Sequence, residues 1–289
     1  MIWDTYVAVG LMIFLGTSVT LYLARIVMLG RARVDRLDQD GGSALLSLPI
    51  MELGYWVLNP VVGLLHRIGA TPNGVTLFAV LPALFAAVAV ANGGFATLCL
   101  LGMTSAFCDA LDGLLAKHQG GSSRAGQALD SILDRVTESV MLIGVAVFFR
   151  DSTPLLLVTL LALFGGYMTS YVSAKAEVMG VTIPRGSMRR PERAVYLLTA
   201  SAFTPLWALL MPATTHPALR YLPVVVALAL IGGVATISAA LRLRSLVSSL
   251  DKDERAAADP RTPRVGTAEF PPIAARSESF GQAKSRGLA

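Results

Sequence analysis

Charge is scarce in this chain: Asp, Glu, Lys and Arg make up 15% of its 289 residues, against 54% hydrophobic residues. That deficit excludes an ordinary soluble domain and points to a lipid bilayer as the solvent. Cysteine is scarcer still. Cys99 and Cys108 fall in one apolar run, so they give neither a disulfide framework nor a redox compartment. His66, His118 and His216 are scattered, and no Cys/His spacing suggests zinc. The net charge of +5 does not signal nucleic acid, because Lys and Arg sit beside apolar runs, where they orient a membrane protein. No internal repeat breaks the chain into modules.

What is abundant is apolar runs of about 20 residues, the length that crosses a bilayer. They fall at 6–29, 74–91, 95–116, 126–149, 153–179, 193–212 and 219–241. The first reads as a retained anchor rather than a signal peptide, since Asp4 and no basic residue precede it. Basic residues cluster after the first run (Arg31, Arg33, Arg36, Arg67), at Lys117 and Arg124, at Arg185, Arg189, Arg190 and Arg193, and at Arg242 and Arg244. Alternating spans put all of them on one face, which the positive-inside rule makes cytoplasmic, with the amino terminus outside. Residues 43–70, broken by Pro49, Glu52 and Asn59-Pro60, suit a helix lying in the interface with Tyr55 and Trp56 near the headgroups. Residues 250–289 have no sustained apolar period and read as disordered. The expected organisation is an anchor at 1–30, a cytoplasmic linker and interfacial helix at 31–72, a membrane domain at 73–245 and a disordered cytoplasmic tail at 246–289.

The segment that carries chemistry runs from Asp109 through Asp112, Gly113, Ala116 and Lys117, then from Gly126 through Asp130 and Asp134. A carboxylate at membrane depth costs about 2.5–3.5 kcal/mol, and four cost on the order of 10 kcal/mol unless something compensates them. Asp109, Asp112, Gly113 and Ala116 follow the i, i+3, i+4, i+7 spacing of one helix face. Gly126, Asp130, Asp134 and Glu138 form a row on the next helix, and a short connection makes the two helices antiparallel neighbours whose acidic faces meet. Carboxylates so gathered repel one another unless cations lie between them, and oxygen ligands without Cys or His favour Mg²⁺ or Mn²⁺. Gly113, Ala116 and Gly126 remove bulk beside the acids and leave room for a substrate phosphate. A two-metal clamp on a diphosphate, with one carboxylate left to take a proton, makes a coherent phosphoryl-transfer site. Small residues in membrane helices more often serve packing, and Gly10, Gly16, Gly165 and Gly166 are read that way.

In identity and spacing, Asp109, Asp112, Gly113, Ala116, Gly126, Asp130 and Asp134 resemble the signature of the CDP-alcohol phosphotransferase family. The resemblance extends over roughly 55–245, and Thr71-Pro72-Asn73 resembles the family's entry to its first core helix. It implies an all-α integral membrane fold: a six-helix core, commonly dimeric and active at the cytoplasmic face, with the first span here as an extra amino-terminal helix. It implies that Asp109, Asp112 and Asp130 chiefly ligate the metals, with Asp134 completing the set and serving as general base. Asp112, Gly113, Ala116, Lys117 and Gly126 would border the CDP-activated donor, most often CDP-diacylglycerol, with CMP leaving. Lys117 stands where the family has Arg, which keeps the charge and loses the bidentate fork.

The acceptor is read from Tyr171-Val-Ser-Ala-Lys175-Ala-Glu177 and Arg189-Arg190-Pro191-Glu192-Arg193, which resemble the bacterial phosphatidylinositol phosphate and phosphatidylglycerophosphate synthases. Arg190, Arg193, Arg185 and Lys175 then suit a phosphorylated alcohol, inositol 1-phosphate or glycerol 3-phosphate, and the same cations can also meet membrane lipid headgroups. A neutral acceptor such as inositol or serine is the alternative within this chemistry. The non-enzyme rival is a divalent-cation transporter, which needs acids near the midplane and exits on both sides, whereas these acids crowd toward one face. The expected setting is a bacterial-type inner membrane.

Overall fold

The structure is a computed structural model that describes residues 2–29, 58, 60–121, 123–184, 186–212 and 214–258. Among them every regular element is a helix. Helix α1 covers Ile2–Leu29. After a helical stretch at 60–67 come α2 (Pro72–Ala91), α3 (Phe95–His118), α4 (Arg124–Phe148), α5 (Thr153–Val178), α6 (Arg190–Leu209), the single turn α7 (Pro217–Arg220) and α8 (Leu222–Ala258). Where a six-helix core with an added amino-terminal helix was expected, α2 to α6 and α8 are the described helices that share one buried cluster, and α1 packs through a separate one. Tyr55, Trp56 and most of the expected interfacial helix lie outside the described residues.

Local chemistry sets the boundaries. The Gly74 N–H donates to the Thr71 side chain at 3.2 Å, and Pro72 opens α2 where a missing N–H costs nothing. The Gly126 N–H donates to the Ser123 hydroxyl at 3.0 Å to start α4. Between α3 and α4 the chain reverses through Gly120 and Gly121 at φ of +98° and +119°, a region that suits residues without a Cβ. Helix α8 passes the expected start of the tail and runs to Ala258. Asp251-Lys-Asp-Glu-Arg255 and three alanines lack an apolar period but are mostly good helix formers, so charge pattern alone misleads there.

Among the described residues, five helices are long and apolar enough to cross a membrane by length and composition: α1 over Ile2–Leu21, α2, α3, α5 and α8 over Leu222–Lys252. Helices α4 and α6, expected to span at 126–149 and 193–212, have the length but carry Asp130, Asp134, Arg135, Glu138, Arg190 and Arg193. Their polarity is the polarity of the site. The outer faces of α2 (Leu77, Phe78, Leu81, Phe85) and α5 (Leu157, Leu160, Phe164) are exposed and apolar, as lipid contact requires.

One buried cluster joins all six core helices: Ala83, Ala86 and Val90 of α2, Leu98 of α3, Val145 of α4, Ala162 of α5, Leu197 of α6, and Leu228 and Ile231 of α8. Phe95 and Phe148 close it edge to face at 4.9 Å, with Phe149 and Tyr221 against them. Phe95 starts α3 and Phe148 ends α4, so the bundle is sealed by aromatics at the end opposite Asp109 and Asp130. Contrary to the expected side-by-side pair, α3 and α4 meet only briefly, and each instead lies along α2. Gly144 permits this: a Cβ there would sit 2.5 Å from the Ala87 carbonyl oxygen of α2. Gly165 of α5 packs as expected, against Thr236 of α8, whereas a Cβ on Gly10 or Gly16 of α1 would meet nothing within 4 Å.

Helix α1 docks on α3 and α6 through Ala8 and Leu11 against Ala96, Cys99, Leu198 and Ala202. Asp4, read from sequence only as a mark against a signal peptide, is buried. It accepts the N–H of Ala96 at 3.0 Å, the N–H of Thr97 at 2.9 Å and the Thr97 hydroxyl at 2.9 Å. Gly94 gives α3 no side-chain cap, so a carboxylate from another helix caps it instead.

Candidate functional site

The far end of α3 carries the acids. Asp109, Asp112 and Asp130 each offer a carboxylate oxygen, and these oxygens lie within 4.8 Å of one another. Oxygens in a Mg²⁺ shell are about 3.0–4.2 Å apart, so the three side chains would draw together to hold one ion. Oxygen-only donors at this spacing fit Mg²⁺ or Mn²⁺. Asp112 is the most enclosed of the three, and its Oδ2 accepts the Thr76 hydroxyl at 2.5 Å. Asp109 and Asp134 share a guanidinium: Nη1 of Arg190 lies 3.1 Å from Asp109 and 2.6 Å from Asp134. Thr76, Ser105, Asp109, Asp134, Thr137 and Arg190 line a small cleft at this point.

The smaller motif residues differ in what they meet. A Cβ on Gly113 would meet nothing within 4 Å, so the face beside Asp112 is open. Ala116 is buried, and Lys117 is exposed at the end of α3. Gly126 lies against the Asn73 side chain, whose Oδ1 would be 2.9 Å from an added Cβ.

The expected acceptor cations separate. Arg190 reaches the aspartates, but Arg193 is buried and paired with Glu138 through Nε at 2.5 Å and Nη2 at 2.7 Å, while its Nη1 donates to the Met188 carbonyl at 2.7 Å. Two arginines three apart on α6 thus meet two acids four apart on α4, forming a ladder rather than a joint grip. Gly166 makes room for it, since a Cβ there would sit 3.1 Å from Arg193 Nε and 3.2 Å from Glu138 Oε1. Lys175 is exposed on α5, and Arg185 lies outside the described residues.

Two functional candidates escaped the sequence. Thr76 is one, a lone helical threonine 36 residues from its partner. Arg242 is the other, grouped by sequence with the topology charges of the tail. Its Nη1 donates to Ser173 at 2.7 Å and its Nη2 to the Ser187 carbonyl at 3.4 Å, while its buried Nε finds no hydrogen-bond partner among the described residues. Between Arg193 and Arg242 the loop before α6 is clamped, with Met188 at φ +59°. A non-glycine residue there stores strain of about 1–3 kcal/mol, which these guanidinium contacts hold in place.

Residues 69–241 match the sequence profile of the CDP-alcohol phosphatidyltransferases. A phosphatidylinositol phosphate synthase of Mycobacteroides abscessus is 34% identical over 154 residues, 51% of this chain and 69% of that protein. An archaetidylinositol phosphate synthase of Methanothermobacter thermautotrophicus is 36% identical over 135 residues, 47% of this chain and 68% of that protein. The crystal structure of the Mycobacterium tuberculosis phosphatidylinositol phosphate synthase with CDP-DAG bound superposes with a TM-score of 0.58 at 25% identity, covering 66% of this chain and 94% of that one. The same enzyme in complex with manganese and citrate gives 0.57, also at 25% identity, over 66% and 89%. Fold, motif and match agree: this integral membrane chain is a transferase and belongs to the CDP-alcohol phosphatidyltransferase family.

Proposed function

We propose that the chain moves the phosphatidyl group of CDP-diacylglycerol onto a hydroxyl of a phosphorylated alcohol, with inositol 1-phosphate ahead of glycerol 3-phosphate. The observation that carries this is the meeting of Asp109, Asp112 and Asp130 within 4.8 Å, with Asp134 and Arg190 beside them. Asp109, Asp112 and Asp130, with Asp134 completing the set, would hold Mg²⁺ or Mn²⁺, in keeping with two ions. Bound metal would neutralise the donor diphosphate and the charge that builds on it during transfer. Asp134 takes the proton of the acceptor hydroxyl, whose oxygen forms the new bond to the phosphatidyl phosphorus. The bond from that phosphorus to the CMP oxygen breaks, and CMP leaves. Lys117, at the exposed end of α3, meets the donor diphosphate.

Arg190 is the cation nearest the proton-accepting carboxylate, so it orients an anionic acceptor toward Asp134. Arg242 braces the loop before α6 from α8, donating through Nη1 to Ser173 and through Nη2 to the Ser187 carbonyl. Arg193 holds the loop before α6 in place through its bond to the Met188 carbonyl, and Lys175, exposed on α5, remains a further candidate cation for the acceptor phosphate, as Arg185 does by sequence alone. The inositol phosphate preference follows from the three relatives described above, all of which are named for inositol phosphate products. The chain works as a homodimer in a bacterial-type inner membrane, with the acids at the cytoplasmic face.

The test is CMP release by the purified protein from CDP-diacylglycerol with a panel of alcohols. Inositol phosphate should outcompete free inositol, glycerol and serine. A faster reaction with a neutral alcohol sinks the acceptor assignment and leaves the aspartate chemistry standing. Divalent-cation flux in protein-loaded vesicles without CMP release would favour the transporter instead.

A further inference from the structure

The most enclosed carboxylate of the site, Asp112, is held by a residue outside the acidic motif. Thr76 lies in the second turn of α2, buried, with its hydroxyl 2.5 Å from Asp112 Oδ2 and 3.0 Å from the Pro72 carbonyl. A hydroxyl has one proton to give. A helical threonine ordinarily returns it to the carbonyl four residues back, but a carboxylate is the stronger acceptor. The proton therefore goes to Asp112, and the carboxylate is pinned through one oxygen while its other oxygen is left as a ligand in a fixed direction.

The same two turns of α2 also reach the second acidic helix, because Asn73 lies against Gly126 at the start of α4. Since α3 and α4 meet only briefly and both lie along α2, the start of α2 touches both acidic helices near the site. The Thr71 cap and Pro72 fix that start.

We propose that Thr76 is the positioning residue of the metal centre, fixing Asp112 so that the acids of α3 and α4 form one site. This rests on the reading of Asp109, Asp112 and Asp130 as metal ligands. Partners that orient metal ligands are worth about 10–100-fold in metal affinity.

The experiment uses the full chain, purified in detergent and stripped of metal, with Mn²⁺ binding followed by the EPR signal of the free ion. Thr76→Val keeps the shape and removes the hydroxyl, and should weaken Mn²⁺ binding about tenfold or more. Thr76→Ser restores the hydroxyl and should recover most of the affinity at an unchanged melting temperature. If Thr76→Val does not fold, Thr76→Ala, which adds no bulk, is read in its place. Undiminished Mn²⁺ binding without the hydroxyl, alongside lost binding in Asp112→Asn, overturns the proposal alone. Undiminished binding in both variants overturns the metal-centre reading itself.

Discussion

Helix α3 begins against one buried carboxylate and ends among several, and the two ends treat their acids in opposite ways. At the start, Asp4 receives two backbone N–H groups and a hydroxyl, all between 2.9 and 3.0 Å. Its charge faces the positive end of a helix dipole, so nothing more is needed to keep it there. At the finish, Asp109, Asp112, Asp130 and Asp134 share, among the described residues, the Thr76 hydroxyl, the Gly113 backbone N–H and one ion-paired guanidinium. A buried carboxylate with its donors in place is structure. Carboxylates turned toward each other with too few donors are a binding site for positive charge.

Removing metal should break the comparison most completely. Chelation should abolish CMP release, with Mg²⁺ or Mn²⁺ restoring it, and full turnover in EDTA after exhaustive dialysis would place all these acids with Asp4 as structural. Asp134→Asn should lower turnover by about 10²–10⁴-fold while CDP-diacylglycerol binding persists, because a proton acceptor acts in the transition state. Loss of donor affinity in step with turnover would show that Asp134 does not act as the base.

The arginine ladder sharpens the contrast. Arg193→Ala removes the buried member of the pair, leaving the half-buried Glu138 without its partner, and should cost up to about 3–5 kcal/mol of stability, read as a large fall in melting temperature. Arg190→Ala should leave melting nearly unchanged and raise the acceptor KM severalfold, and the reverse pattern would exchange their roles. Gly166→Ala should destabilise by about 1–3 kcal/mol through crowding of the same pair. The smallest effect is expected at Asp4. Asp4→Ala removes a cap worth about 0.5–2 kcal/mol, lowering the melting temperature by a few degrees while kcat/KM is kept. A collapse of kcat/KM without a melting shift would mean that the two ends of α3 are functionally coupled.

The acids were legible in sequence because helical spacing alone places Asp109 with Asp112 and Asp130 with Asp134, and because charge in apolar surroundings stands out. The long helices were legible for the same reason, as apolar runs of bilayer length. Thr76, Asp4 and Arg242 were not. Each has an ordinary local context, and its meaning comes from a partner 36, 92 or 69 residues away. Arg193 was legible as a cation but not as a structural one, since a basic residue beside the site reads alike whether it meets substrate or Glu138. The reach of α2 across both acidic helices was hidden too, because the short connection between α3 and α4 suggests that they pair directly.

The Asp4 cap also has a place in time. Asp4 and Ala96 are 92 residues apart, and α2 and the start of α3 must be synthesised before the two can meet. Ribosomes add about 5–20 residues per second, so α1 waits on the order of 5–20 s for the N–H groups that will receive its carboxylate. Through that interval water at the membrane edge has to solvate the charge, which holds the leading turn of α1 at the surface while the rest of the helix enters lipid. Until the cap closes, α1 is held by its own apolarity alone; once it closes, the helix becomes a wall of the bundle.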